Sequence, residues 1–351
     1  MATTFKTLTN NDVTSTRTLL HESIPISGAI VSGTYGGSAV ALGSEPHIKN
    51  YSHGMFQSIY DYPYLSSSAN HIFDITVGYG NNSALSGASG VQNTKKINIY
   101  NQMAQILMGY DATGSIRAFD EDGNLTGGTK INECAFINFS RLLHKDEVKK
   151  GSFQLELGVS SSYDTGGRVF GTRVKITDAS GSDGYFVNSP AGEYGVLYAS
   201  GSAGGVGMSG TIGDVGSGTG PACGLLFYQA GIAVISGSVF LDQIDGGVLN
   251  NGSGSVSMSG PGSSTTANFS AVLTGSAISG AANQIRNRIY NLQFNNTTEL
   301  NSTIYFCRAN HNDFNYSSNP TYITGSKIRV KNSTTDSPVS YITTIGLYSA
   351  D

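Results

Sequence analysis

The stretch Ser302–Tyr348, STIYFCRANHNDFNYSSNPTYITGSKIRVKNSTTDSPVSYITTIGLY, decides the fold class. β-Branched and aromatic residues recur at about every second position in Thr303–Arg308, Lys327–Lys331 and Val339–Tyr348, the alternation that turns one face of a strand inward. Between these runs stand Asn319-Pro320 and Asp336-Ser337-Pro338, where proline fixes its own φ and pushes the preceding residue toward extended geometry. The stretch reads as strands joined by ordered turns. It contains no nucleophile motif, metal cage or phosphate loop.

The same pattern extends upstream. Ser152–Val159 alternates, with Phe153, Leu155 and Leu157 on one side, and further strands are expected at Arg168–Ile176, Gly184–Val187, Gly195–Tyr198, Gly224–Gln229 and Ile232–Ser236. The clearest helix is Thr94–Tyr110, with Ile97, Tyr100, Met103, Ala104, Leu107 and Met108 on one face, Thr94 as N-cap and Gly109 as stop. A hairpin follows at Ile116–Gly128, where Asp122-Gly123 takes the positive φ. Glu133–Gly151 reads as a strand leading into a short helix, and Ala281–Leu292 as a helix capped by Ser279. The fold class is therefore mainly β or α+β: antiparallel β-rich domains, two to three short helices and long Gly/Ser loops. Three regions are expected. Residues 1–20 form an extended arm, 21–130 a β-rich region holding the helix, and 131–351 a C-terminal β-rich domain with Gly/Ser loops near 199–221 and 252–280.

Composition narrows the function classes. Of 351 residues 46 are Gly, 13% are charged and the net charge is −4, which supplies no global field for nucleic acid or anionic lipid. The small basic groups Lys145, Lys149, Lys150 and Arg286, Arg288 read as solvated faces. Cys134, Cys223 and Cys307 lack metal or disulfide spacing and read as reduced core residues. The N-terminus has no apolar core behind a basic start, so no secretory signal is expected. Gly224–Leu241 is apolar but broken by Gly231 and Gly237, so it reads as two buried strands rather than a membrane span.

Motifs that suggest chemistry have simpler readings. Gly205–Gly210 matches GxGxxG but lacks the flanking strand and helix. Asp120–Asn124 clusters oxygens as a calcium loop would, yet Leu125 and Ile131 stand where an EF-hand needs glycine and glutamate, so a hairpin turn is the reading. His311 and Asp313 read as a polar turn. The acids Asp61, Asp74, Glu156, Asp242 and Asp245 have no spacing that selects a glycosidase pair. No catalytic residue, metal ligand, cofactor or small-molecule substrate is expected.

Contact residues are better marked. In Tyr51–Tyr64, Met55, Phe56, Ile59 and Tyr60 at helical spacing read as a core stripe, while Tyr60, Tyr62 and Tyr64 also suit a partner-facing surface. Thr4, Phe5 and Leu8 on the arm, and Phe314, Tyr316 and Tyr322 in the C-terminal loop, complete the candidate interface. An arm of this kind can lie across a neighbour by strand addition.

Residues 312–322 (NDFNYSSNPTY) and 338–348 (PVSYITTIGLY), with YGVLYASG and GLLFYQAGIAVISGSVFLD upstream, resemble a family of virion structural proteins of contractile-tailed bacteriophages, particularly those of marine bacteria. LLHESIPISG, YSHGMFQSIYDYPYLSSSANHIFDITVGY and KKGSFQLELG fit the same pattern, so the likeness spans most of the chain. The resemblance implies a tail, baseplate or neck component, assembled in the host cytoplasm and located in the virion. Its partners would be copies of itself and other virion proteins, and it carries no catalytic residues over. A receptor-binding tail-fibre or capsid-decorating adhesin is the alternative, favoured by the tyrosines and long polar loops.

Overall fold

The structure is a computed structural model that describes residues 7–21, 46–87, 89–158, 173–178, 184–200, 222–240, 269–286, 288–308, 319–324, 327–328, 346 and 348. In chain order the described strands are β1 (Val13–His21), β2 (Ile48–Asn50), β3 (Gln57–Tyr60), β4 (His71–Tyr79), β5 (Phe119–Asp120), β6 (Lys130–Ile131), β7 (Glu133–Asn138), β8 (Glu147–Val148), β9 (Gln154–Gly158), β10 (Arg173–Thr177), β11 (Phe186–Ser189), β12 (Gly192–Ser200), β13 (Ala222–Phe227), β14 (Ile232–Ser236), β15 (Ile289–Gln293), β16 (Asn296–Tyr305), β17 (Ile323–Thr324) and β18 (Lys327–Ile328). The described α-helices are α1 (Asn93–Leu107), α2 (Phe269–Gly275) and α3 (Ile278–Arg286). Two compact units result, Leu19–Glu299 and the pair Met1–Thr18 with Leu300–Asp351.

The larger unit is organised by an 11-stranded sheet in the order β15-β9-β10-β12-β13-β14-β7-β4-β3-β2, with β11 paired to β12. Its pairings are antiparallel, as the β-rich reading requires. β4 and β7, which fall on either side of residue 130, are hydrogen-bonded neighbours from Asp74–Asn138 to Tyr79–Glu133. Residues opposite one another across a ladder share a face. Gly78, Phe136, Val234, Leu225, Phe227 and Tyr194 thus lie on one side of the sheet, and Val77, Ala135, Ile137, Ala233, Ile235 and Leu226 on the other. Both sides are buried here.

On the first side α1 sits directly on β4. A Cβ at Gly78 would stand 2.8 Å from the Lys96 carbonyl oxygen and 2.9 Å from the Tyr100 nitrogen, so only glycine lets helix and strand backbones come this close. The β5–β6 hairpin extends the cover. Phe119 meets Tyr100 edge-on at 5.4 Å and lies 5.8 Å from Phe136 and 6.5 Å from Phe227. On the other side α3 packs along β4 and β3, and Ser270 of α2 donates to Glu133 at 3.5 Å. Lys96, fully buried, donates from Nζ to the Leu273 carbonyl and, at 2.7 Å each, to the Ser276 and Val91 carbonyls. A cation there satisfies carbonyls at the end of α2. Burial lowers its pKa to about 8.

Toward β15 the sheet is one-sided. Leu155, Leu157, Val174, Ile176 and Leu292 are buried, while Gln154 donates to Glu156 and accepts from Gln293 on the opposite face. The alternation read in Ser152–Val159 is this half-buried strand.

Several expectations change. Helix α1 starts at Asn93, its N-cap is Gln92 at φ 56° and not Thr94, and its buried stripe includes Lys96 and Ile99; Gly109 (φ 73°) does end it. The helical stripe expected in Tyr51–Tyr64 is a turn and β3, where Gln57, Ser58 and Ile59 are all buried and alternation is lost. The helix expected before Gly151 is a 3-10 turn, Ser140–Leu142, followed by β8. Ala281–Leu292 divides into the end of α3 and β15, with the helix starting at Ile278 and including Ser279. Arg286 and Arg288 are buried, not solvated, and Cys307 is exposed while Cys134 and Cys223 are buried. The Gly224–Leu241 region is the β13–β14 hairpin followed by a 3-10 turn, and no helix among the described residues is long and apolar enough to cross a membrane.

In the smaller unit, within the stretch expected as an arm, β1 takes a place beside β16. Phe306 N–H donates to the Asp12 carbonyl at 2.7 Å at the end of this ribbon, and Asp12 closes a capping box with Thr9. β17 and β18 form a two-residue hairpin; most of Val339–Tyr348 lies outside the described residues.

Gly78→Ala should cost about 1–3 kcal/mol by forcing α1 off β4. Gly87→Ala, with nothing within 4 Å of the added methyl, should change stability by less than ~0.5 kcal/mol. Urea unfolding of the pair measures the difference.

Candidate functional site

The residues expected to make contacts divide between the two units. In the larger one, the β2 edge of the sheet carries an aromatic group. Tyr51 stacks on His53 at 5.1 Å and meets Phe56 at 4.8 Å, with Lys49 Nζ 5.0 Å from the Tyr51 ring. Tyr60 packs 6.3 Å from Tyr64 and edge-on to His71 at 5.4 Å. Tyr60 is therefore half-buried, while Tyr62 (57% exposed) and Leu65 (86%) stand out from the turn that follows β3. That turn is held shut. Asp61 accepts from the Asn70 backbone N–H at 2.6 Å and the Asn70 side chain at 2.8 Å. Burial acts to raise the Asp61 carboxyl, but these donors outweigh it and hold it below its ordinary value.

Beneath the aromatics runs a polar chain. Tyr51 Oη lies 3.1 Å from Ser58 Oγ, which donates to Asp74 Oδ1 at 2.5 Å, and His71 Nε2 meets the same oxygen at 2.6 Å. Aspartate stands between serine and histidine. A serine nucleophile needs histidine against its hydroxyl, so this order braces β3 against β4 rather than activating Ser58.

In the smaller unit the β1–β16 ribbon is open on both faces. Every described side chain from Thr14 to Thr18 and from Leu300 to Arg308 is exposed, including Ile304 (47%), Tyr305 and Phe306 (53%). Leu8 is also exposed, and Tyr322 ends a 3-10 turn, Pro320–Tyr322. Thr4, Phe5, Phe314 and Tyr316 lie outside the described residues, as do His311, Asp313, Asp242, Asp245 and Gly205–Gly210. The structure thus packs Tyr64 on Tyr60, leaves Tyr62 exposed, and groups Phe56, expected in the core, with Tyr51 and His53, whose spacing gave no signal because they flank a turn.

In two charged clusters the structure supplies ion pairs that the sequence did not indicate. In the Asp120–Asn124 turn the cation is internal: Lys130 Nζ lies 2.6 Å from Asp120 Oδ2 and 2.5 Å from the Gly127 carbonyl. The hairpin reading holds, with Gly123 at φ 76°. Farther along, Lys150 Nζ sits 3.0 Å from Glu147 and 2.5 Å from Glu193, and over the rings of Tyr185 and Tyr228 at 4.7 and 5.1 Å. Asp178 beside them accepts backbone N–H groups from Gly151 at 2.7 Å and Phe153 at 2.9 Å. Burial raises the Asp178 carboxyl to about 6 against the pull of those donors and of Tyr228. Burial likewise pushes the Tyr228 phenol far up, helped by the charge of Asp178. The expected solvated lysines thus include one, Lys150, that joins β8 to β12. Among the described residues, no group of three or more His, Cys, Asp or Glu side chains is arranged to hold a metal ion.

Comparison with known protein families, with curated proteins and with solved structures finds no match for this chain.

Asp178 gives stability a pH dependence of defined sign. Between its ordinary value of 3.8 and the folded value of about 6, the folded chain holds the proton and the unfolded chain has lost it. Stability should fall by up to ~3 kcal/mol as pH rises from about 4 to about 6 and stay level above that, as far as this group is concerned. Asp178→Asn should remove this slope from denaturant unfolding measured across that window.

Proposed function

We propose that the chain is a structural subunit of a tailed-bacteriophage virion, built into the tail, baseplate or neck, and that it acts by contact with copies of itself and with other virion proteins. The observation that carries this reading is the β1–β16 ribbon. Paired strands that expose Ile304, Tyr305 and Phe306 bury little apolar surface, and such ribbons are marginal in water until another surface covers them. β1 is also the terminal strand of its sheet among the described residues, so its outer edge suits addition of a further strand. The aromatic group at Tyr51–Tyr64 supports the same reading, because tyrosine and phenylalanine give large, rigid contact area with a polar rim. The likeness of the sequence to phage virion proteins supplies the particle. No chemistry is assigned to Ser58, Asp74 or the Lys150 cluster, whose polar groups brace the fold.

Sedimentation velocity of the purified chain at rising concentration should show a larger species. The Ile304→Asp, Phe306→Ser double variant should stay monomeric with an unchanged melting temperature, since both positions are exposed. Antibody raised to the chain should label virions at the tail, baseplate or neck. A chain that is monomeric throughout and absent from virions contradicts the reading.

A further inference from the structure

Four segments of the larger unit converge on an open recess of about 340 Å³, at the lower end of the size range of small-molecule sites. They are the turn after β4, the middle of α1, Ser115–Ala118, and Asn132 between β6 and β7. Backbone bonds fix the walls. Gly80 N–H donates to the Asn132 carbonyl at 2.7 Å, and Arg117 N–H to the Gly109 carbonyl at 3.0 Å. The Tyr100 hydroxyl donates to the Ile131 carbonyl at 2.7 Å and accepts the Phe119 N–H at 3.4 Å, so α1 and the β5–β6 hairpin cannot shift independently.

Within this lining the Tyr100 and Ser115 hydroxyls are bonded to the protein, but five other polar side chains are not. The side chains of Asn81, Asn82, Asn101, Asn132 and Arg117 make no hydrogen bond or ion pair among the described residues. Asn70, Asn93, Asn124 and Asn138 elsewhere are each tied to nearby groups. An amide both donates and accepts, as a sugar hydroxyl does, and a ring of amides meets a hydroxylated ring without fixed charge. Arg117 is the charged residue of the lining, which holds no carboxylate. Asp111, whose charge Arg117 reaches, has its Oδ1 engaged by Thr113 and Ser115. A half-buried guanidinium in this setting suits a planar carboxylate in bidentate contact. Ile116, partly exposed at the rim, offers apolar surface to a sugar's C–H face.

We propose that this recess binds a carboxylate-bearing saccharide, with its hydroxyls on Asn81, Asn82, Asn101 and Asn132, its carboxylate on Arg117 and its apolar face on Ile116. The proposal goes beyond the assembly reading and does not depend on it. Calorimetric titration of the full chain with trigalacturonate, sialyllactose, neutral maltotriose and inorganic phosphate tests it. At least one acidic sugar should bind about tenfold tighter than maltotriose, ~1.4 kcal/mol. Arg117→Gln should remove that preference, and Asn82→Ala, on an exposed turn where folding is not at stake, should weaken the acidic sugar. The Ile304→Asp, Phe306→Ser variant should bind as the native chain does. Three outcomes overturn the proposal: neither acidic sugar binding, binding indifferent to both Arg117→Gln and Asn82→Ala, or phosphate binding as tightly as the sugars, which marks a bare anion contact.

Discussion

Gly78 marks where α1, the longest helix among the described residues, meets the sheet, and the backbone approach there sets the geometry of the larger unit. With no Cβ in the way, α1 lies on β4 closely enough for the Tyr100 hydroxyl to reach the Ile131 carbonyl and for its ring to meet Phe119. Phe119 in turn carries the β5–β6 hairpin over Phe136 and Phe227. The centre of the sheet is thereby covered on this side, while α2 and α3 lie toward the other, and β7, β13 and β14 are apolar on both faces. Toward β15 the opposite face carries Gln154, Glu156 and Gln293, and the strands alternate. The same close contact fixes one wall of the asparagine-lined recess, so core packing and the candidate ligand site share one cause.

Charges in this sparsely charged chain act as internal fasteners. Lys96 satisfies carbonyls at the end of α2, Lys130 neutralises Asp120 inside its own hairpin, and Lys150 bridges Glu147 and Glu193. Asp178 pins the turn before β9 through two backbone N–H groups. Burying charges is costly unless partners surround them, and each of these has them.

Elements with one buried face were legible in the sequence; of those with two, the β13–β14 hairpin was legible as two apolar runs broken at Gly231, and β3 was not. β9, the β13–β14 hairpin, α1 and the Asp122-Gly123 turn follow from alternation, helical spacing or turn chemistry. β3 did not, because Gln57, Ser58 and Ile59 are all buried and the helical spacing of Met55, Phe56, Ile59 and Tyr60 competes with a strand covered on both sides. Ala281–Leu292 kept a helical period across Arg286, where the helix ends, because Ile289 and Leu292 belong to a strand facing the same core. Tyr60, Tyr62 and Tyr64 could be marked only as candidates for contact, and the structure leaves Tyr62 exposed while Tyr60 packs on Tyr64. The recess could not be marked, since its asparagines come from segments whose proximity only the sheet creates.

In the proposed assembly the sheet unit is complete as folded, whereas the β1–β16 ribbon gains its cover from another subunit. Amide hydrogen exchange, compared between the dispersed chain and its assembled form, tests this directly. The expected result is strong protection of β4, β7 and β14 in both samples, and protection of residues 14–18 and 300–306 that appears only on assembly. Equal protection of the ribbon in the dispersed chain, or none in the assembly, would contradict it.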